Sequence, residues 1–337
     1  MLKRANPTIF LVAAGMLVLP RAGSAAEDMC FFRDAAAPGA STAYLLCEQG
    51  QVYATRDAGT HWLTLQTGAT QTLHAIAFRD ASHGFVVGDN GVILATGDGG
   101  KTWRAVLNQK KQPYLIDDLH CAFALGNQIW AGGFLGALLH SGDGGRTWAK
   151  QKTNTSMGLE GVYFLDANHG CAVGWSGTIL RTQDGGKNWQ PVASKAEWSL
   201  AAIRFRDQNN GWAVGFAGEL LRSHDGGATW EEQKSPIEAS LTSVAFDKAG
   251  RIWVAADEQL LVNQNGGEPW TVVGVGQAFL GKVFRVGDEL WALGEQKLLK
   301  QTGSGMQWKR VENLVPAGTA ISDSLDATPL LPAAAGK

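Results

Sequence analysis

The sequence lacks the motifs that mark several large enzyme classes. It has no HExxH segment, no CxxC pair, no phosphate-binding P-loop and no GxSxG elbow. It also lacks stretches with apolar residues at i, i+3, i+4 and i+7, the spacing of an amphipathic helix. These absences exclude zinc metalloproteases, P-loop nucleotide hydrolases, α/β-hydrolases and helical-repeat proteins.

Long hydrophobic runs are missing as well, and the N-terminal one, Ile9 to Leu19, is too short for a stable transmembrane helix. Lys3 and Arg4 precede it, and the small residues 23–26 follow it. This layout is typical of a cleaved secretory signal peptide, so residues 1–26 are predicted to be removed and the mature chain to be periplasmic. The alternatives are an uncleaved anchor or a lipoprotein that uses Cys30, and Met29 directly before that cysteine argues against lipidation.

An excess of positive charge is also absent. The formal net charge is −2, and it becomes −5 when Lys3, Arg4 and Arg21 leave with the signal peptide. A mildly acidic chain is a poor ligand for polyanions, so nucleic acid is not expected as a partner.

Cysteine is scarce, with four residues: Cys30, Cys47, Cys121 and Cys171. Export would place them where disulfides form. All four occupy positions that other repeats fill with buried residues. Cys30 and Cys47 should lie on adjacent strands of the first unit, where a bridge between them is one of two open alternatives.

The feature that dominates the chain is an octet such as Thr96 to Trp103, of sequence TGDGGKTW. Versions of it recur at spacings of 41, 45, 41, 41, 40 and 38 residues, so a unit of about 40 residues is repeated seven times. The closing residues are tryptophans: Trp62, Trp103, Trp148, Trp189, Trp230, Trp270 and Trp308. The sixth and seventh copies are degenerate, because Asn263 and Gln301 replace the Thr or Ser that begins the octet in the other copies.

The octet composition predicts a structural turn. Its aspartate is expected to accept hydrogen bonds from backbone N–H groups two residues on. Its last glycine, Gly267 in the sixth copy, should supply a positive φ, and its tryptophan should wedge the turn against the next sheet. The aspartates concerned are Asp57, Asp98, Asp143, Asp184 and Asp225.

Each unit contains four short apolar segments separated by turns, clearest in residues 162–192. Four antiparallel strands per unit are the blade of a β-propeller. We therefore predict an all-β fold, a seven-bladed propeller over residues 27–315, in which the first unit supplies its own inner and outer strands. A shared closing blade is the alternative, because the sequence does not show which edge strands pair. Residues 108–114 form a predicted polar loop, and residues 316–337 a predicted disordered tail.

The octets match the Asp-box, or BNR repeat, S/T-x-D-x-G-x-T-W. The longer segment 211–227, with its counterpart 170–186, resembles the photosystem II stability and assembly factor family known as Ycf48. The resemblance covers nearly all of residues 29–312. It implies a non-catalytic seven-bladed propeller, without cofactor, that engages a membrane-protein subunit through an arginine-rich surface. Arg181 and Arg222 match the family's arginine before the Asp-box, while Ala54, Ala95, His140 and Val262 depart from it.

Asp-boxes also occur in sialidases and other glycoside hydrolases, so an enzyme is the competing class, with a non-catalytic glycan-binding propeller as a third. A sialidase needs an arginine triad around the substrate carboxylate and a tyrosine nucleophile. Four tyrosines are present, and no Arg-Ile-Pro segment lies near the first blade. His83 and His169 are two repeats apart in equivalent turns, where Asn210 also serves, so we expect no catalytic, cofactor or metal site.

A binding surface is the function that remains. Arg33, Arg79 and Arg206 each follow a phenylalanine and precede an aspartate, and Arg204 adds a charge on the fifth inner strand. The three are expected to emerge on one face near the axis. The functional hypothesis is a face that docks an extended or acidic segment of a membrane-protein subunit, or the periplasmic face of a membrane complex such as a transporter or a photosystem-like assembly. The structural alternative pairs each arginine with its adjacent aspartate. We expect a monomer.

Overall fold

In the computed structural model, the described residues 30–106, 117–276, 279–303 and 306–314 form seven four-stranded antiparallel sheets. The prediction of a seven-bladed propeller is confirmed. The predicted polar loop at 108–114, the signal peptide and the C-terminal tail lie outside the described residues, and those predictions stand.

Every blade is made of four consecutive strands. In the first four blades these are β1 Phe32–Ala36, β2 Ala43–Cys47, β3 Gln51–Thr55, β4 Leu63–Gln66; β5 Leu73–Phe78, β6 Gly84–Gly88, β7 Ile93–Thr96, β8 Arg104–Ala105; β9 Leu119–Leu125, β10 Gln128–Gly133, β11 Leu138–Ser141, β12 Ala149–Lys150; β13 Leu159–Phe164, β14 Gly170–Gly174, β15 Ile179–Thr182 and β16 Gln190–Pro191. In the last three they are β17 Leu200–Phe205, β18 Gly211–Gly215, β19 Leu220–Ser223, β20 Glu231–Glu232; β21 Leu241–Phe246, β22 Ile252–Ala256, β23 Gln259–Asn263, β24 Thr271–Gly274; β25 Leu280–Val286, β26 Glu289–Gly294, β27 Leu298–Thr302 and β28 Gln307–Arg310.

Among the described residues, helix is limited to four 3₁₀ turns: Asp89–Gly91, Phe134–Gly136, Phe216–Gly218 and Glu312–Leu314. Across the described part of the chain, no helix has the length and apolar character needed to cross a bilayer.

The first strand of each blade is the inner one, and the inner strands pack side by side around the axis, with β1 meeting both β5 and β25. The first blade owns all four of its strands, as expected, so the ring closes by packing, a backbone hydrogen bond and an ion pair rather than by a shared blade. Phe32 N–H donates to the Glu295 carbonyl at 2.8 Å, and Lys282 of the last blade pairs with Asp34 of the first.

Each inner strand begins with a β-bulge next to the end of the second strand. At Gly88 and Gly133 a Cβ would collide with the carbonyl oxygens of Thr72 and Asp118, which belong to the incoming linker. Glycine recurs here because the linker backbone crosses at van der Waals distance, where no side chain fits.

The hydrophobic core consists of seven clusters, each between two adjacent blades. Each Asp-box tryptophan packs against the preceding blade, not the next one as predicted. Trp148 contacts Phe85 of the second blade at 6.1 Å between ring centroids. Trp62 contacts Trp291 of the seventh blade at 5.9 Å, so the same packing closes the ring.

Candidate functional site: the two faces and the axial channel

The two faces of the ring have different construction. On one, the turn after the inner strand bonds to the Asp-box of the same blade in blades one to five, as when Gly99 N–H donates to the Ser82 carbonyl at 2.8 Å. We call this the Asp-box face. On the other, the turn between second and third strands bonds to the linker from the previous blade, as when Trp175 N–H donates to the Gly158 carbonyl at 2.9 Å. We call this the linker face.

The Asp-box turns are held by a repeated hydrogen-bond set. Thr96 Oγ1 donates to the Asp98 carboxylate at 2.8 Å and accepts the Gly100 N–H at 2.8 Å. Asp98 Oδ1 accepts the N–H of Thr102, four residues on rather than the predicted two. Hydrogen bonds from the Thr102 hydroxyl and N–H lower the pKa of Asp98 to about 2.

The same set recurs, with Thr or Ser as the first residue, in the boxes of Asp57, Asp143, Asp184 and Asp225. In the sixth copy Asn263 Oδ1 takes the role of the hydroxyl and accepts the N–H of Asn265 at 2.9 Å. There Gly266 carries the positive φ of 81°, and the prediction for Gly267 was wrong.

The inner strands enclose an axial channel that opens on both faces. At the Asp-box face it widens into a funnel of about 670 Å³. Among the described residues, five cations line this funnel: Arg204, Arg206, Lys248, Lys282 and Arg285. The carboxylate among them, Asp247, is buried and already bonded to the guanidinium of Arg251 and the indole of Trp253.

The cations of the funnel differ in the groups with which they interact. Arg204 lies over the Tyr163 ring, with 5.4 Å between its Cζ and the ring centroid. Lys248 pairs with Asp288 at 2.6 Å on the exposed rim. Arg285 has no ion pair within the described segments, and its side chain is exposed. The funnel therefore presents positive charge that the protein itself does not fully neutralise.

Arg206 and Arg79 both lie on the Asp-box face, as predicted, but the prediction that Arg79 lies near the axis was wrong. Each of the two pairs with its adjacent aspartate, which was the structural alternative. Arg206 Nε is 3.6 Å from Asp207 and Arg79 Nε is 3.5 Å from Asp80. Arg79 also donates to Asn127 and lines a cleft between the second and third blades, not the funnel.

The prediction that Arg33 shares this face was wrong. Phe32 pairs with Cys47, so Arg33 lies at the bulge that begins the inner strand, whereas Phe78 pairs with Gly84 at the strand's other end. Arg33 therefore emerges at the linker-face mouth of the channel, where it pairs with Glu48. The tripeptide Phe-Arg-Asp therefore begins several residues earlier along the inner strand in blade one than in blade two.

Arg181 and Arg222 connect neighbouring blades. Arg181 Nε donates to the Gly226 carbonyl at 3.1 Å, and Arg222 Nη1 donates to the Gly266 carbonyl at 2.5 Å. Each acceptor belongs to the next blade's Asp-box. Arg222 also lies over the buried Trp212 ring at 5.3 Å, so both arginines have a structural explanation.

The linker-face mouth holds a polar cluster that sequence reasoning missed. His120 Nδ1 lies 3.0 Å from Glu160 Oε1, and His74 Nε2 lies 2.6 Å from Asp89 Oδ1. The two imidazoles contact edge to face at 5.3 Å between centroids. Trp175 Nε1 donates to the same Glu160 oxygen at 2.7 Å. The hydrogen bond with Glu160 raises the pKa of His120.

The turn histidines behave as the repeat predicted. His83 and His169 contact Asp80 and Asp166 through Nδ1 at 3.0 and 2.8 Å, and Asn210 makes the same contact with Asp207. Within the described ranges, no group of three or more His, Cys, Asp or Glu residues has the arrangement of a metal site.

The cysteines divide into a pair and two thiols. Cys30 and Cys47 form a disulfide with 5.5 Å between their Cα atoms, which resolves the open alternative in favour of the bridge. Cys121 and Cys171 are free and buried, as their repeat positions predicted.

Comparison with known proteins gives one family. The family model of photosynthesis system II assembly factor YCF48 matches residues 60–157, 104–183 and 186–286. No curated protein sequence is similar enough to match.

Solved structures of several kinds share the fold. A structure of YCF48 bound to a D1 peptide is 20% identical, covers 81% of this chain and 91% of that one, and has a TM-score of 0.67. YCF48 from Cyanidioschyzon merolae is 21% identical over 81% of this chain and 95% of that one, with a TM-score of 0.65. An ancestral GH74 enzyme is 15% identical over 84% of this chain and 46% of that one, also with a TM-score of 0.65. At these identities the likeness is one of fold.

Proposed function

Because the chain belongs to the photosynthesis system II assembly factor YCF48 family, we propose that it is a non-catalytic binding propeller whose funnel docks an extended, acidic segment of a membrane-protein subunit. The binding would assist assembly or stability of a membrane complex. The D1 peptide held by one solved YCF48 structure supports a polypeptide segment as ligand.

The observation that carries the proposal is the unbalanced charge of the funnel. Arg204 and Arg285 line an opening of about 670 Å³ and have no ion pair within the described segments, while Arg206 beside them lies 3.6 Å from Asp207. Asp247 is neutralised by Arg251. Guanidinium groups form bidentate hydrogen bonds with carboxylates, and in a concave, partly desolvated site these are stronger than on an open surface. An extended chain bearing Asp or Glu side chains, or a terminal carboxylate, matches this chemistry.

The absence of catalysis is part of the proposal, and the engagement of the channel carboxylates supports it. Asp34 binds Lys282 and accepts the Ile76 N–H at 2.9 Å. Glu160 is bonded to His120 and Trp175. Glycoside hydrolysis needs one carboxylic acid and one carboxylate free to reach the substrate. A screen with fluorogenic glycosides tests this part, with no turnover expected.

The location is proposed as the periplasm, after removal of residues 1–26, with the protein acting as a monomer. The Cys30–Cys47 disulfide supports an oxidising compartment. Mass spectrometry of the exported protein should give a mature N-terminus near Glu27, and light scattering should give the monomer mass.

Charge reversal tests the binding role. The Arg206→Glu/Arg285→Glu variant should capture about tenfold less membrane protein than wild type from detergent-solubilised membranes, a loss of roughly 1.4 kcal/mol of binding free energy. The matched control is Lys101→Glu/Lys187→Glu, which changes the charge equally at exposed Asp-box positions away from the funnel. Equal capture by both variants would contradict the proposal.

A further inference from the structure

Large apolar side chains are exposed on the linker face of blades three to five. They come from the turns between second and third strands and from the linkers, and some are more than half exposed, such as Leu135 and Trp198 at 57%. We call this set the aromatic rim: Phe134, Leu135, Met157, Trp175, Trp198 and Phe216.

Bonded neighbours make the rim one continuous surface. Phe134 contacts Trp175 edge to face at 5.4 Å between centroids. Ser176 N–H donates to the Ser199 hydroxyl at 3.2 Å, and Phe216 N–H donates to the Ser199 carbonyl at 2.9 Å, which brings both turns to the residue after Trp198. Clustered exposed aromatic side chains of this kind mark interaction sites, whereas single ones do not.

One rim residue holds a backbone conformation that suits it poorly. Leu135 has φ 51° and ψ 32° in the left-handed region, in the turn Phe134-Leu135-Gly136. Blade two has the same turn geometry with the sequence Asp89-Asn90-Gly91, and asparagine tolerates that region far better than leucine. An exposed leucine in a strained conformation does not stabilise the hydrophobic core, so its presence points to contact with a partner molecule.

The charges around the rim are mostly negative. Carboxylates are contributed by Asp118, Glu160, Glu197 and Glu219, against the exposed lysines Lys152 and Lys195. Glu219 also fixes the rim, because its carboxylate accepts the N–H groups of Glu197 and Trp198 at 2.7 and 3.0 Å. This face therefore differs from the opposite one, where the funnel is basic.

We propose that the aromatic rim is a second docking surface, for a partner-protein segment that carries apolar side chains together with Lys or Arg. The apolar side chains of the segment pack on Leu135, Trp175 and Phe216, and its cations face the surrounding carboxylates. Anionic lipid headgroups would meet repulsion from the same carboxylates, which favours a polypeptide over a bilayer. The propeller then binds one segment at each face and acts as an adaptor.

The chain itself supplies the variant that tests this. Phe134→Asp/Leu135→Asn gives blade three the turn sequence that blade two already has, in a geometry that blade two shows it can adopt. The thermal midpoint should rise or stay level because the left-handed position gains a tolerant residue. The carboxylate added at position 134 should attract a basic peptide. A loss of binding would therefore result from the loss of the apolar Phe134 and Leu135 side chains.

The probe is a displayed library of random 12-residue peptides, selected on the intact mature Arg206→Glu/Arg285→Glu variant so that the basic funnel enriches no acidic peptides. Enriched peptides should combine Leu, Phe or Trp with Lys or Arg, bind the rim variant at least tenfold more weakly, and bind the Arg206→Glu/Arg285→Glu variant as well as wild type. Peptides that are indifferent to the rim variant, or enriched peptides without cations, would overturn the proposal. So would phosphatidylcholine vesicles that sediment the wild type and not the rim variant, since that result assigns the rim to a membrane surface.

Discussion

The Glu160 carboxylate accepts a 2.7 Å hydrogen bond from the indole Nε1 of Trp175, and through the same oxygen it contacts His120 of the preceding blade. One carboxylate thus joins the channel mouth to the aromatic rim. Burial alone would raise the pKa of Glu160, but the hydrogen bonds from His120 and Trp175 lower it below its usual value.

Replacing Glu160 by Gln should lower the pKa of His120, because the hydrogen bond that raises it is lost, while Asp89 and Asp118 still act on the ring. A raised pKa contributes stability that is present below the ordinary value of 6.5 and is lost as pH rises through the raised value. The destabilisation of Glu160→Gln should therefore be larger in acid than in alkali. Imidazole NMR titration measures the pKa of His120. Urea unfolding at one pH just below 6.5 and at one pH above the raised pKa measures the difference in stability. An unchanged His120 titration would show that the contact does not persist in solution.

Asp34 joins three blades, since it pairs with Lys282 of blade seven and accepts the Ile76 N–H of blade two. Removing it in Asp34→Ala leaves a mostly buried ammonium group without its partner, so the free energy of unfolding should fall by about 3–5 kcal/mol. The double variant Asp34→Ala/Lys282→Met should recover part of that loss, because no unpaired charge remains. Urea denaturation measures both. An equal loss in single and double variants would assign the effect to the N–H of Ile76 alone.

The propeller and its repeat were predictable because the tryptophan spacing and the strand–turn pattern lie within each unit of about 40 residues. The position of Arg33 was not, because it depends on which residue of β1 faces Cys47, and pairing register is a property of two strands. The His120–Glu160 cluster was missed for a related reason. His120 and Glu160 each lie at the β-bulge of their inner strand, and the two strands are neighbours in the ring. The sequence shows that the two residues face each other only when the position of the bulge in each strand is known.

The Asp-box carboxylates should make the fold sensitive to acid. The folded pKa of Asp98 lies near 2, below its ordinary value of 3.8, so its contribution is present above 3.8 and is lost as pH falls through the folded value. Asp57 behaves alike, with a pKa of about 2. Asp98→Asn should be less stable than wild type at neutral pH, and the difference should shrink as pH falls toward 2. A difference that is constant with pH would contradict this assignment.

The two free thiols should resist alkylation in the folded protein. Burial raises the pKa of Cys171 to about 12 and raises that of Cys121 still further from its usual range. Thiolate is the reactive form, so iodoacetamide should label neither residue under native conditions at mildly alkaline pH. In denaturant both should be labelled, and after reduction Cys30 and Cys47 should be labelled too. Native labelling of Cys121 or Cys171, detected by peptide mass spectrometry, would show that their blade interface opens.

The central claim is that the basic funnel holds a segment of a membrane protein, and site-specific photo-crosslinking tests it most directly. A benzophenone side chain placed at Lys248 lies on the funnel rim, and one at Lys101 lies on the same face away from it. We expect irradiation in membranes to link position 248, and not position 101, to an acidic segment of one membrane-protein subunit, and Arg206→Glu/Arg285→Glu to abolish the adduct. Equal adducts at both positions, or an adduct at position 248 that survives the charge reversal, would contradict it.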